Sequence, residues 1–286
     1  MHWHNRRERF RAQINGDICI HPGSVFDPIS ARIAEAIGFE AGMFAGSVAS
    51  LMVLGDPDHI VLTLSEFAEQ AYRIGRASEL PILVDADHGY GNALNVKRTV
   101  EELETAGVSA LSIEDTELPR PFGSGGKTSL ISIEEGVGKM LAAVEGRQDP
   151  SLVIAARTSA ISVSGLQDTI ARVKAYQDTG VDAIFLIGIK QIQQLEAIAE
   201  VCRLPIFLGG AGAEINHLDS LAPLGVRISL QGHQPLMAAM QATYDTLKAL
   251  REGASPADID KSIDKALINR LSRVDDYDGW IEQFLE

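Results

Sequence analysis

The chain is poor in everything that would tie it to nucleic acid or to lipid. It carries 25 lysines and arginines against 39 aspartates and glutamates, for a formal net charge of −14 and a pI of ≈ 4.9. A basic surface is what meets a phosphate backbone or an anionic leaflet, so this balance argues against both partners. Cysteine is scarce as well. Cys19 and Cys202 stand alone, each inside an apolar stretch and neither in a C-x-x-C pair. Buried reduced thiols are the expectation, with no disulfide framework or zinc site. Long apolar runs are missing: residues 183–189 form one of the longest, far short of the ~20 needed to span a bilayer. The first ten residues are polar and lack the apolar core of a signal peptide. These absences predict a soluble, cytoplasmic protein.

What is present is a large apolar fraction, 45%, and a recurring junction. A helical pattern ends in glycine, a hydrophobic residue follows, and a strand begins. The junction reads Ile37-Gly38-Phe39, Ala106-Gly107-Val108, Thr179-Gly180-Val181 and Leu224-Gly225-Val226. Glycine just past a helix caps it in the left-handed conformation. Leu80-Pro81 and Leu204-Pro205 end helices differently, since proline disfavours helix in the residue before it. The junctions place strands near 18–22, 41–45, 82–85, 110–114, 152–157, 183–187, 206–208 and 227–230. Helical patterns lie between them, over 28–37, 65–78, 93–106, 133–145, 166–179 and 191–201. This alternation predicts a (β/α)8 TIM barrel over residues 1–252, with a helical tail over 253–286 that packs on its own or a neighbouring subunit. A doubly wound sheet is the alternative, but no phosphate-binding glycine fingerprint follows the first strand. The glycine-rich stretch 116–132 is too long for a simple connection. It reads as a lid, or else as a plain surface excursion.

The chemistry gathers where such a barrel keeps it, at the carboxyl ends of the strands. Strand three ends in Asp85 and Asp87, strand four in Glu114 and Asp115, strand five in Arg157. Gly46-Ser47 follows strand two and Gln231-Gly232-His233 follows strand eight. Carboxylates converging on one mouth repel unless a cation sits among them, and all-oxygen ligation suits Mg2+, or Mn2+, better than zinc. Taken alone, Asp87 is also a plausible turn or helix-capping residue. Arg157 reads either as an ion-pair partner for these acids or as a clamp on a substrate carboxylate or enolate oxygen. His233, beside glycine, reads as a substrate-facing group or as a backbone hydrogen-bonding one.

The stretch Asp85-Ala86-Asp87-His88-Gly89-Tyr90-Gly91, with Ser30-Ala31-Arg32 and Gly46-Ser47-Val48-Ala49 before it and Ile113-Glu114-Asp115 after it, resembles the phosphoenolpyruvate mutase/isocitrate lyase superfamily. The likeness runs over nearly the whole chain. Ser24-Val25-Phe26-Asp27-Pro28, residues 85–95 and Glu134-Glu135-Gly136-Val137-Gly138-Lys139 bring it closest to the bacterial oxaloacetate decarboxylase branch. The resemblance implies a barrel whose eighth helix swaps between subunits of a homotetramer. It implies Mg2+ held directly by Asp85, with Asp87 and Glu114 acting through water. It implies a small oxo-acid substrate contacted by Ser47, Arg157 and His233. The implied reaction is decarboxylation of oxaloacetate to pyruvate and CO2 through a stabilised enolate. Two departures qualify it. The Lys-Lys-Cys-Gly-His motif of the isocitrate and methylisocitrate lyases is replaced by Phe122-Gly123-Ser124-Gly125-Gly126-Lys127-Thr128, without the cysteine. The tyrosine of related decarboxylases after strand seven is replaced within Gly209-Gly210-Ala211-Gly212. Another lyase or hydrolase acting on a related α-oxo acid, 2-hydroxy acid or phosphonate therefore stays open, as does a carboxylate-binding barrel without turnover.

Overall fold

The computed structural model describes residues 3–215, 217–259 and 264–286. Eight strands pair in sequence order, all parallel: β1 (Gly23–Ser24), β2 (Gly42–Phe44), β3 (Ile82–Asp85), β4 (Ala110–Glu114), β5 (Val153–Thr158), β6 (Ala183–Ile187), β7 (Ile206–Gly209) and β8 (Val226–Ser229). Ile20 pairs with Ile228 as an isolated parallel bridge. Its amide donates to Arg227 at 3.0 Å and its carbonyl accepts from Ser229 at 2.9 Å. The chain entering β1 therefore lies against β8, as closure of a (β/α)8 barrel requires.

The first strand differs from expectation. The apolar run 18–22 is the approach to the sheet, and Ile18 is largely exposed; the paired residues are Gly23 and Ser24. The other seven strands fall within a residue or two of their predicted bounds. Their side chains are buried almost without exception, because helices cover one face and the barrel interior the other.

Besides two single-turn helices, two longer ones fall outside the predicted helical patterns. Helix α1 (Trp3–Asn15) has a polar sequence, yet buries Phe10 and Ile14 together with Arg6 and Arg7. Arg7 donates to the carbonyls of Val108 and Glu104, and Arg11 to those of Ser151 and Leu152. The helix thus plugs the end at which β4 and β5 begin, its arginines satisfying backbone carbonyls that would otherwise be buried unpaired. After α2 (Pro28–Ile37) and β2 comes the second such helix, α3 (Gly46–Val53), an apolar segment directly at the mouth.

The helices that follow are α4 (Leu64–Gly75), α5 (Ala93–Thr105), α6 (Ile133–Gly146), α7 (Ala160–Val163), α8 (Leu166–Tyr176), α9 (Ile192–Ala199) and α10 (Leu218–Leu221). Several start with a side chain returning to the first-turn amides: Asp27 caps α2, Thr63 caps α4 and Asn92 caps α5. Gly38 and Gly225 cap helical segments in the left-handed conformation, as the junctions predicted.

The eighth barrel helix, α11 (Gln234–Arg251), buries only Leu236. Met237, Met240, Tyr244, Leu247 and Leu250 on it stay exposed. In the tail, α12 (Lys265–Ser272) buries Leu271 and packs beside α2, where Arg32 Nη1 donates to the Leu271 carbonyl at 2.9 Å. Helix α13 (Val274–Phe284) buries nothing. No helix among the described residues is long and apolar enough to cross a membrane.

Candidate active site

Parallel pairing puts the strand-end residues side by side. Asp85 sits opposite Ser112, and Glu114 opposite Arg157. Asp85 Oδ1 accepts from Ser112 Oγ and from the Asp87 amide, both at 3.2 Å. Arg157 Nη1 pairs closely with Asp85 Oδ2, and its Nη2 lies 3.1 Å from Glu114 Oε2. The guanidinium carbon lies 5.6 Å from the Phe185 ring centroid, within reach of a cation–π contact. Arg157 is therefore an ion-pair partner of two acids, and it also lines the cavity they share.

Asp87 stands in a left-handed backbone conformation, φ 49. Aspartate tolerates that region better than most residues. Its carbonyl accepts from the Glu114 amide at 2.8 Å, tying the turn after β3 to β4. Its carboxylate lies against the backbone of Gly46, where a Cβ would meet Asp87 Oδ2 at 2.5 Å. Glycine at the first turn of α3 is thus required by this close approach rather than by a turn.

A fourth acid joins them. Asp58, in the loop between α3 and α4, lines the same cavity. Nothing local marked it: Gly55-Asp56-Pro57-Asp58-His59 is an ordinary polar turn, and only the fold brings it opposite β3. Burial pushes the Asp87 carboxyl well above the usual range, with Asp85, Asp58 and Glu114 adding to the shift and Arg157 opposing it. Burial likewise raises Glu114 and Asp58; Asp85 adds to each, and Arg157 opposes each. The four acids outnumber the guanidinium groups of the mouth, Arg157 among the acids and Arg120 at the edge.

The remaining wall is mixed. Ser47, Ser24, His233, Gln231, Gly209 and Gly210 line a cavity of ≈ 580 Å³, with Leu118, Pro119 and Arg120 from the glycine-rich loop at its edge. His233 Nδ1 lies 2.9 Å from Ser24 Oγ, and burial lowers its pKa, with Asp85 opposing. The loop's base is pinned: the Glu117 amide donates to Ser129 and the Ile131 amide to Asp115, both at 2.9 Å. Its tip is open, with Phe122 fully exposed. Ala211 packs against the core, and Gly209 and Gly210, at the end of β7, line the cavity.

Asp115 does not belong to the mouth. It follows Glu114 and points to the opposite face, as alternation along a strand demands. Its Oδ2 there accepts from Arg172 at 2.9 Å and from the Tyr176 hydroxyl at 2.8 Å. The acids of the mouth are Asp58, Asp85, Asp87 and Glu114.

These donors fit a hard divalent cation. Among the described residues no group of three carboxylate, imidazole or thiolate side chains closes into an all-protein shell. Mg2+ does not need one, since it takes one or two carboxylates and keeps several waters. The carboxylates of Asp87 and Asp58, which have no ion-pair partner among the described residues, and the oxygen-only donor set are what a hydrated Mg2+ beside Asp85 would satisfy.

Residues 15–251 match the family described as phosphoenolpyruvate phosphomutase. An oxaloacetate decarboxylase of Bradyrhizobium diazoefficiens is 60% identical over 273 residues, covering 96% of this chain and 94% of the relative. Among solved structures, a phosphonopyruvate hydrolase in complex with oxalate and Mg2+ is similar at TM-score 0.86 and 26% identity, covering 98% of this chain and 99% of that one. An oxaloacetate acetylhydrolase in complex with the inhibitor 3,3-difluorooxalacetate is similar at TM-score 0.85 and 25% identity, covering 98% and 97%.

Proposed function

This chain belongs to the phosphoenolpyruvate phosphomutase family of enzymes, and we propose that within it the protein is a Mg2+-dependent oxaloacetate decarboxylase. The observation that carries the reading is the convergence of Asp58, Asp85, Asp87 and Glu114 on one cavity around Arg157, in a chain so similar to a relative of that activity.

Asp85 would hold the metal directly, with Asp87 and Glu114 holding its waters. Bound there, Mg2+ would supply Lewis acidity to the C1 carboxylate and C2 oxo group of the substrate. The reaction breaks the C3–C4 bond, releases C4 as CO2 and leaves the electron pair on the pyruvate enolate. A proton delivered to C3 completes pyruvate. Arg157 adds fixed positive charge where the enolate oxygen forms, on a guanidinium already held by Asp85 and Glu114 near the Phe185 ring. Ser47, in the first turn of α3, offers its hydroxyl and adjacent amides to a substrate carboxylate. His233, oriented by Ser24, is pushed by burial toward its neutral form, against the pull of Asp85, and would position substrate and relay a proton. Neither cysteine lines the cavity, in keeping with a reaction that needs no thiol acid.

The assembly proposed alongside is a cytoplasmic homotetramer in which α11 packs against a neighbouring subunit. The support is that α11 presents an apolar stripe its own barrel leaves exposed.

The test is a paired assay. Purified protein with Mg2+ and oxaloacetate should form pyruvate and CO2 well above the rate with metal alone, and Asp85→Ala should remove the excess. An unchanged rate in that variant sinks the reading. Oxalate and acetate in place of pyruvate would instead assign the acetylhydrolase reaction, for which a structural neighbour is named.

A further inference from the structure

A second pocket lies on the outside of the barrel, between α2, the end of α4 and the tail helix α12. Its volume is ≈ 400 Å³, and Arg32, Arg76, Arg270 and Arg273 line it together with Glu35, Glu79 and Ser78. Four guanidinium groups against two carboxylates leave a local charge of +2, in a chain whose net charge is −14. Both acids are already engaged. Glu35 Oε1 accepts from the Glu79 amide at 2.9 Å, and Glu79 accepts from Arg6 Nη2 at 2.6 Å and Arg6 Nε at 3.1 Å.

The arginines keep donors to spare. Arg32 uses Nε on the Ala77 carbonyl and Nη1 on the Leu271 carbonyl. Arg273 uses Nε on Asp276. The side chains of Arg76 and Arg270 make no hydrogen bond or ion pair among the described residues. Ser78, only 6% exposed, contributes a buried hydroxyl that has no hydrogen-bond partner. Cations held together around an unpaired polar group repel one another unless an anion enters, and guanidinium forks match the oxygens of carboxylate or phosphate.

We propose that this pocket binds a small polyanion bearing phosphate or paired carboxylate groups, and that its occupant fastens α12 to the barrel. Arg270 and Arg273 come from the tail and Arg32 and Arg76 from the barrel, so a shared anion bridges the two. The site is separate from the catalytic cavity. The chain leaves Glu79, enters the barrel and crosses it along β3, four residues spanning about 10 Å, before reaching the mouth at Asp85, and the two pockets share no lining residue.

Isothermal titration calorimetry on the full chain tests this with inorganic phosphate and, in a separate arm, citrate. Saturable heat is expected from at least one probe, and the stronger arm assigns the ligand's chemistry. Arg76→Gln/Arg270→Gln should weaken binding by about tenfold or more, the loss of two charge-assisted contacts. Arg270→Gln alone, on the exposed tail helix, should move affinity the same way and guards against a double variant that fails to fold. Asp85→Ala should bind as the parent does. No saturable heat with either probe, unchanged affinity in both arginine variants, or loss of binding in Asp85→Ala each overturns the proposal.

Discussion

At the scale of single residues, the site depends on close contacts that leave no room for an added atom without moving a catalytic group. Gly46 is the sharpest case, because any side chain there collides with the Asp87 carboxylate. Gly46→Ala should leave the fold intact by circular dichroism and lower kcat/KM by about 10²-fold, the usual cost of misplacing a catalytic group by about 1 Å. An unaltered kcat/KM would remove Asp87 from the machinery. Residue roles were unevenly visible in the sequence. Asp85, Asp87, Glu114 and Arg157 could be found because each sits at a strand end, where position alone confers direction. Asp58 could not, since it lies in a loop whose placement depends on how α3 and α4 pack. Asp115 misled for the converse reason: next to a mouth residue in sequence, it faces away in space to meet Arg172 and Tyr176.

At the scale of elements, the strands were readable because parallel strands buried on both faces are short apolar runs, and glycine or proline bounded them. The first was misplaced because its pairing residues, Gly23 and Ser24, are the least strand-like of the eight. Helix α1 was hidden because it buries arginines, which no hydrophobic period reports. Its anchor can be tested. Arg7 donates to Asp149 at 2.9 Å, with both side chains largely buried. Arg7→Ala should cost about 3 kcal/mol in chemical denaturation, as expected when a buried charge loses its partner. The same anchor sets an acid limit. Burial pushes the Asp149 carboxyl up, but hydrogen bonds from Arg7, the Ser151 amide and His4 outweigh it and hold the group well below the usual range. A carboxyl held low in the folded chain and ordinary in the unfolded one adds stability that is full above the ordinary range and disappears as pH falls through the folded value. Asp149→Asn should therefore flatten the fall in stability below about pH 4, measured by denaturant titration across pH.

At the scale of the whole molecule, the C-terminal region is an unfinished surface. Met237, Met240, Tyr244 and Leu247 form a stripe along α11, and Tyr277, Trp280, Ile281 and Phe284 another along α13, all exposed. Patches of this kind are usually covered by a partner. Size-exclusion chromatography with light scattering should give the mass of a homotetramer, and Tyr244→Glu/Leu247→Glu should shift it to smaller species; a parent protein already monomeric would leave these faces without a role. Arg157 carries the last consequence. Because its guanidinium already spans Asp85 and Glu114, the acids have an internal counterion before any cation arrives. Loading of the proposed Mg2+ would then be an exchange of partners rather than a folding step. Protein stripped with a chelator should stay folded, with a thermal midpoint within a few degrees of the loaded form (about 1 kcal/mol at this size), and should regain full activity on simple re-addition of Mg2+. On the proposed Mg2+ dependence, such a protein would fold in metal-poor conditions, wait inactive and be switched on by supply alone.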